Sequence, residues 1–246
     1  MVHWSFTELD TVGSTQEVAR ERAAEGAPEG TTIVAKAQTS GTGRLGRTWV
    51  SPAGGLYISF ILRPNGIPRP ELITLVAAAA AVEGIKGATG LEPEIRWPND
   101  LTLRARKLGG IIAEAASYGS EVDWVVVGVG LNCNAPAYKM VGVEAESTSV
   151  RQELGEEVAI RDIMDSVLAS FSALYERWKS GEDLQEEWAS RVGTIGKEVS
   201  IKLKTEGKPF TCLAEDIDAE GNLVVSFEGE SIAVSARDLE WLREMG

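Results

Sequence analysis

Apolar and polar positions fall into short blocks along the chain, and their period changes from block to block. Residues 4–9 alternate with a period of two and read as a strand. Ser14-Thr15-Gln16-Glu17 then has the spacing of a capping box, which predicts a helix over residues 15–25. Strands are expected over residues 31–38 and 56–62, on either side of a loop at 39–55 that is rich in Gly, Ser and Arg. Residues 71–86 are mostly apolar and read as a buried helix, since their apolar run is too short to span a bilayer. Short strands are expected at 95–97, 101–103, 108–115 and 124–129, and helices at 160–179 and 184–192. After residue 193 the pattern changes to short strands at 199–204, 211–216, 223–228 and 231–235, joined by polar turns. Four or five strands in so short a stretch fit a small closed barrel. The expected fold is α+β: a mixed β-sheet packed with helices over residues 1–192, and a small SH3-like β-barrel over residues 193–246.

Composition narrows the function classes. The 246 residues carry a net charge of −13, with 43% hydrophobic and 25% charged residues, an ordinary globular composition. The acidic excess opposes binding to nucleic acid or to an acidic membrane surface. Cys133 and Cys212 are far apart and outside any metal-like spacing, and the N-terminal residues lack the basic start and apolar core of an export segment. A cytoplasmic setting is expected. The lone histidine, His3, argues against a Ser-His-Asp triad and against a His-rich zinc site. Charge is unevenly spread: residues 31–70 hold Lys36, Arg44, Arg47, Arg63 and Arg69 with no acidic residue, and 101–113 hold Arg104, Arg106 and Lys107 with none. An acidic protein that clears carboxylates from two stretches has the makings of an anion site there.

The glycine-rich loop contains two misleading motifs. Gly41 to Gly46 spells G-x-G-x-x-G, but a dinucleotide fold needs a helix to begin there and an acidic residue about 20 positions on. Thr48-Trp49-Val50-Ser51-Pro52 follows instead, a poor helix start, and no acid appears before Glu71. The stretch also approaches a phosphate-binding P-loop, yet Arg47 stands where lysine belongs and no helix follows to aim its dipole at phosphate. What survives is physical. Glycines let consecutive backbone N–H groups turn inward around an anion, and Arg44 and Arg47 can pair with it. With Leu45 as its single apolar anchor, the loop is expected to be mobile when empty and ordered by ligand.

Other constellations are weaker one by one. Arg96-Trp97-Pro98-Asn99-Asp100 reads first as a proline turn, Ser14-Thr15 as a helix cap, and Lys107 before Gly109-Gly110 as a solvated lysine. In order along the chain they are more telling. A Ser-Thr helix start is followed by Gln38-Thr-Ser-Gly-Thr-Gly-Arg-Leu-Gly-Arg-Thr-Trp49 with Ser51-Pro52 and Gly55-Leu-Tyr-Ile-Ser59, then Arg96-Trp-Pro-Asn-Asp100, Lys107-Leu-Gly-Gly-Ile111 with Glu114, and Gly128-Val-Gly-Leu-Asn132. This series resembles the biotin–protein ligases over nearly the whole chain, in the short form that has no DNA-binding module before the first catalytic strand.

The resemblance implies an activity and a site. The chain would adenylate biotin with ATP and pass the biotinyl group to a lysine of a biotin carboxyl carrier protein, with Mg²⁺ implied by the ATP chemistry but without assignable ligands. Ser14, Thr15 and Gln38 would meet the ureido ring of biotin, whose site would also take in Gly41, Thr42, Lys107 and Gly110. Arg44 and Arg47 would hold the adenylate, and Trp49, Arg96, Asn99 and Asn132 would line the nucleotide site. Lys107 would pair with the biotin carboxylate and then with the phosphate, Asp100 would stand beside the reacting centre, and Lys107, Arg44 and Asp100 would be the catalytic set. Two positions depart from the pattern: Thr42 replaces a basic residue often found there, and Arg96 replaces a lysine. The assembly stays open between monomer and homodimer. The alternatives are a lipoate or octanoate ligase, for which an Arg-Gly-Gly-Gly type of loop is expected, and a non-catalytic biotin-sensing regulator.

Overall fold

In the computed structural model, residues 2–64, 72–118, 121–135, 147–205 and 207–245 are described. Arg69, at the end of the acid-free stretch, Glu71, where the second helix was expected to start, and Glu206, in a polar turn, lie outside them.

The N-terminal strand β1 (Ser5–Val12) leads into helix α1 (Thr15–Ala24), and β2 (Thr31–Gln38) returns parallel to β1. Strand β3 (Leu56–Leu62) follows the glycine-rich loop and precedes helix α2 (Ile73–Thr89). Four antiparallel strands come next: β4 (Glu94–Arg96), β5 (Asp100–Leu103), β6 (Arg106–Tyr118) and β7 (Glu121–Leu131). Together they make a seven-stranded mixed sheet in the order β1-β2-β3-β7-β6-β5-β4. Helices α3 (Val150–Leu154), α4 (Ile160–Lys179) and α5 (Gln185–Ala189) complete this part. The short α3 was not expected from the sequence, and α5 is briefer than the helix expected over 184–192.

The period of two along the central strands explains the layering. Leu56, Ile58, Phe60 and Leu62 of β3, with Val125, Val127, Val129 and Leu131 of β7, face the core that α2 and α4 cover. On the opposite face, Ile61 and Val126 pack under Ala19 and Ala23 of α1. Helix α1 covers only part of that face. Further along it, β7 presents Gly128, Gly130 and then Asn132, and a cleft opens above them.

The start of α1 differs from its expectation. Ser14 occupies the N-cap with extended backbone (φ −150°, ψ 132°), but its side chain makes no capping bond. The first helical amide, Thr15 N–H, instead donates to Gln38 Oε1 at 2.8 Å. A residue from β2 thus satisfies one of the orphan donors that a capping box would have answered.

The C-terminal region forms a second, antiparallel sheet: β8 (Glu198–Leu203), β9 (Phe210–Ile217), β10 (Leu223–Phe227), β11 (Glu230–Val234) and β12 (Leu239–Glu244). Its order is β11-β10-β9-β8-β12. Among the described residues β11 and β12 do not pair, so the ladder is an open five-stranded one and not the hydrogen-bond-closed barrel expected. The two sheets share one apolar core, in which Val199, Ile201, Ala214 and Leu223 join Trp97, Leu184 and Trp188. Trp97 fastens the joint twice, its backbone N–H donating to Thr194 Oγ1 (3.0 Å) and its indole N–H to Gly221 O (3.1 Å). None of the helices among the described residues is long and apolar enough to cross a membrane.

Candidate active site

A cleft of about 770 Å³ lies over the exposed end of β7, bounded by the glycine-rich loop, the β4–β5 turn and β12. All of the residues expected in the site line it except Gly41. Gly41 stands behind the wall, where an added Cβ would lie 2.5 Å from Trp49 O and 2.6 Å from Ser51 Oγ. Its Cα packs against the loop's own atoms.

One end of the cleft is a nook of amides and hydroxyls. Thr15 Oγ1 donates to Gln38 Oε1 (3.1 Å) and lies 2.9 Å from Ser59 Oγ, which donates to Gln16 Oε1 (3.0 Å). Gln16 Nε2 donates to Val126 O, and Gln38 Nε2 to Ser51 Oγ at 2.8 Å. Ser14 Oγ meets Thr42 Oγ1 at 3.3 Å across the entrance. Gly128 makes room for this network, since a Cβ there would lie 2.5 Å from Gln16 Oε1. Gln16 was missed by sequence reasoning, and Ser59, though it closes the Gly55–Ser59 motif, was given no place in the site. The signal for Ser59 was available, because it is the one hydroxyl without an aromatic ring inside the otherwise apolar run Leu56–Leu62. A polar atom kept in such a strand needs a partner.

The loop itself is a small hairpin. Trp49 N–H donates to Gly41 O (2.8 Å), Gly43 N–H to Arg47 O (2.7 Å), and Thr42 bridges Thr48. The amides of Gly43 and Trp49 are therefore spent inside the loop. At the tip, Arg44–Gly46 makes a 3₁₀ turn with Leu45 at φ 60° and exposed. The tip is held by its arginines. Arg44 donates to the carbonyls of Ala236 and Leu239, and Arg47 to that of Glu240 (3.2 Å). Polar anchors to the C-terminal sheet take the place of the apolar ones whose scarcity suggested mobility. Burial and the neighbouring Arg47 both lower the pKa of Arg44, while Asp100 raises it.

Lys107 and Asp100 form the centre. Asp100 on β5 lies across from Gly110 on β6, and Lys107 Nζ reaches its Oδ1 at 2.7 Å. The ammonium also lies 5.3 Å from the centroid of the Trp49 ring. That indole rests on Gly130, where a Cβ would be 2.6 Å from its Nε1, and its N–H is buried without a partner. At Gly110, by contrast, an added Cβ would make only ordinary contacts of 3.6 Å or more, so the protein's own atoms do not demand glycine there.

The far end holds Asn132 and the β4–β5 turn. Asn99 Nδ2 donates to Ile111 O (2.9 Å), next to the cis Trp97–Pro98 bond. Arg96 donates to Ala105 O (2.7 Å), and its Nε lies 3.5 Å from Glu244. Glu244 is also tied to Lys197 and Thr194, both at 3.0 Å. Strand β12, absent from the sequence-based expectations, therefore forms a wall of the site. Asn132 is buried; its Nδ2 is used by Thr148 O, and its Oδ1 has no partner among the described residues. Among the described residues no group of three or more His, Cys, Asp or Glu side chains could hold a metal ion.

The Biotin/lipoate A/B protein ligase family matches residues 9–132. The Bifunctional ligase/repressor BirA of Bacillus spizizenii is 32% identical over 94% of this chain and 72% of its own length. The Biotin--[acetyl-CoA-carboxylase] ligase of Mycobacterium tuberculosis is 32% identical over 97% of this chain and 90% of its own. Among solved structures, the biotin protein ligase from Aquifex aeolicus in complex with biotin and ATP superposes with a TM-score of 0.84 at 25% identity, covering 98% of this chain and 99% of that one. On its sequence and its fold together, the chain belongs to the biotin/lipoate A/B protein ligase family.

Proposed function

We infer that the chain is a biotin–protein ligase, which makes biotinyl-adenylate from biotin and ATP and transfers the biotinyl group to a lysine of a biotin carboxyl carrier protein. One observation carries the reading: along a single face of β7, Gly128, Gly130 and Asn132 connect three chemically distinct places. Gly128 underlies the amide and hydroxyl nook, Gly130 underlies Trp49 and the Lys107–Asp100 pair, and Asn132 ends the row with an unpaired acceptor. Four residues of strand span about 13 Å. A ureido ring, a reacting carboxylate with phosphate, and a base succeed one another in the same order along an acyl-adenylate.

The nook suits a ureido ring, which offers one carbonyl acceptor and two N–H donors to the hydroxyls and amides of Ser14, Thr15 and Gln38. Lys107 is the cation at the middle station. In the first step a biotin carboxylate oxygen attacks the α-phosphorus of ATP, the bond to pyrophosphate breaks, and charge builds on the α-phosphate oxygens beside Lys107. In the second, the carrier amine attacks the carbonyl of the mixed anhydride, and AMP leaves. Positioning and charge stabilisation carry both steps, and no covalent enzyme intermediate is needed.

Arg44 and Arg47 would exchange carbonyl partners for phosphate, a stronger charged acceptor. Trp49, Arg96, Asn99 and Asn132 would line the nucleotide, and Gly110 would let the ligand lie against the backbone. Mg²⁺ would keep most of its water and bind one or two carboxylates and phosphate oxygens; of the carboxylates lining the cleft, Glu240 and Glu244 are paired with cations of the C-terminal sheet, and Asp100, beside Lys107, would be the one to serve. When bound, it would neutralise charge on the leaving pyrophosphate. We read residues 1–192 as the unit that carries both substrates and 193–246 as the unit that closes the cleft, working in the cytoplasm.

The test is exchange of labelled pyrophosphate into ATP. It should depend on biotin and not proceed with lipoate, and label from biotin should then appear on an added carrier domain. Exchange supported equally by lipoate would overturn the substrate assignment.

A further inference from the structure

We propose that Glu153 and Thr148 are positioning residues that lock the Asn132 amide in the one orientation that accepts adenine and turns guanine away. The proposal rests on the reading above that the base lies at Asn132, and concerns how that position is made selective.

Asn132 is held on every side but one. Its backbone N–H donates to Leu108 O (2.9 Å), and its carbonyl accepts from Val150 N–H (2.9 Å). Its side-chain Nδ2 donates to Thr148 O at 3.0 Å and faces Lys107 O at 3.4 Å. Both neighbours of Nδ2 are carbonyl oxygens, so a flipped amide would set Oδ1 against two acceptors. The orientation is thus dictated by the protein. Among the described residues Oδ1 is left buried without a hydrogen bond, in a residue only 1% exposed that lines the cleft. Unmatched buried acceptors are rare in native proteins, and one beside a ligand cleft is an invitation to a donor. Asparagine elsewhere reads adenine with both ends of its amide, on N6 and N7. Here Nδ2 is consumed, and Oδ1 alone remains. Adenine offers an amino group at position 6, whereas guanine offers a carbonyl oxygen that an acceptor repels.

The lock is built by Glu153. Its side chain is 1% exposed, yet it accepts from Arg106 (2.5 Å), Arg104 (3.2 Å) and the hydroxyl of Thr148. Thr148 is wholly buried; its N–H donates to Lys107 O (2.9 Å) while its carbonyl takes the Asn132 amide. Helix α3, which carries Glu153, is only five residues long, and its Leu154 is exposed. Its apolar hold is slight, so the carboxylate acts as its polar tether. The two arginines come from the β5–β6 turn, where Arg104 and Ala105 both take left-handed backbone (φ 51° and 62°). One carboxylate thereby ties that turn, Thr148 and the orientation of Asn132 together.

The experiment measures KM and kcat for ATP and for GTP in biotin-dependent pyrophosphate exchange. Thr148→Val and Glu153→Ala should raise KM for ATP and cut the ATP/GTP preference in kcat/KM by about tenfold or more. KM for biotin and kcat at saturating ATP should stay within about twofold. Thr148→Ser should restore the preference, and Glu153→Gln should fall between, which keeps the test open if Glu153→Ala fails to fold. Thr148→Val and Glu153→Gln proteins that fold and keep the wild-type preference would overturn the proposal, as would a loss of kcat and biotin affinity in parallel. Asn132→Ala separates the two levels. If it too leaves the ATP/GTP preference untouched, the base is not read at Asn132 and the site reading itself fails. If it abolishes the preference while the Thr148 and Glu153 variants keep it, only the positioning role is wrong.

Discussion

At the scale of the residue, Lys107 is held by two partners that substrate can replace. It has a carboxylate at 2.7 Å and an aromatic face at 5.3 Å, and it is largely shielded from water. A biotin carboxylate can take the place of Asp100, and the same ammonium can then follow the charge onto phosphate. Removing it takes away stabilisation that exists chiefly in the transition state, worth about 3–4 kcal/mol or 10²–10³ in rate. Lys107→Ala should therefore lose adenylate formation by that factor while keeping its fold, checked by rapid-quench measurement of biotinyl-adenylate and by circular dichroism. Adenylate formed at the wild-type rate would remove Lys107 from the chemistry. Lys107 was legible in the sequence because it begins a Gly-Gly strand in an acid-free stretch. Gln16 and Glu153 were not. Each looks ordinary in its own window, and its importance lies in partners far along the chain: Val126 for Gln16, and Arg104 and Arg106 for Glu153.

At the scale of the element, the glycine-rich loop shows how a motif can name residues without giving the pairing of their backbone. Its arginines were legible, but which amides it spends on itself depends on the pairing of Thr42 with Thr48, which no local pattern signals. The same limit hid β12. Its burial pattern, mostly intermediate, blurs the period of two, because one side of the strand faces the cleft and not solvent. Strands β2 and β3 and helix α4 were found to the residue, since α4 is buried along one face at its own period and β3, buried at every position, is a compact run set between Gly55 and Pro64. The docking of the loop makes a prediction. Arg44 pairs with backbone carbonyls and not with a carboxylate, so its loss strands no buried charge. Arg44→Gly should still form the adenylate but release it faster, by about tenfold or more if one charged hydrogen bond is lost. Released adenylate would label bystander lysines without selectivity, visible on an added unrelated protein. A variant as dead in the first step as Lys107→Ala would make the loop part of the catalytic apparatus.

At the scale of the whole molecule, the change of pattern near residue 193 was legible, but the closeness of the two parts was not. Sequence alone suggested a barrel that could be an appendage. The structure joins it to the sheet through a shared core, the two hydrogen bonds of Trp97, the Arg44 and Arg47 contacts, and the Arg96–Glu244–Lys197 chain of charges. Arg96 and Glu244 are largely shielded from water, Trp97 is 2% exposed, and leaving the Trp97 donors unmatched would cost about 1–3 kcal/mol apiece. Neither part can therefore open without exposing apolar surface of the other. Heat or denaturant should unfold the chain in one transition, with far-ultraviolet circular dichroism and tryptophan fluorescence coincident. Trp4 and Trp124 report on the first sheet and Trp241 on the second, so single-tryptophan variants can follow each part separately. Biotin with ATP should shift both reports together, since a ligand that spans β7 and β12 stabilises the state in which they are joined. Two separated transitions, with the Trp241 report lost first and the cleft still binding biotin, would show instead that the C-terminal sheet is an appendage to a catalytic unit that stands without it.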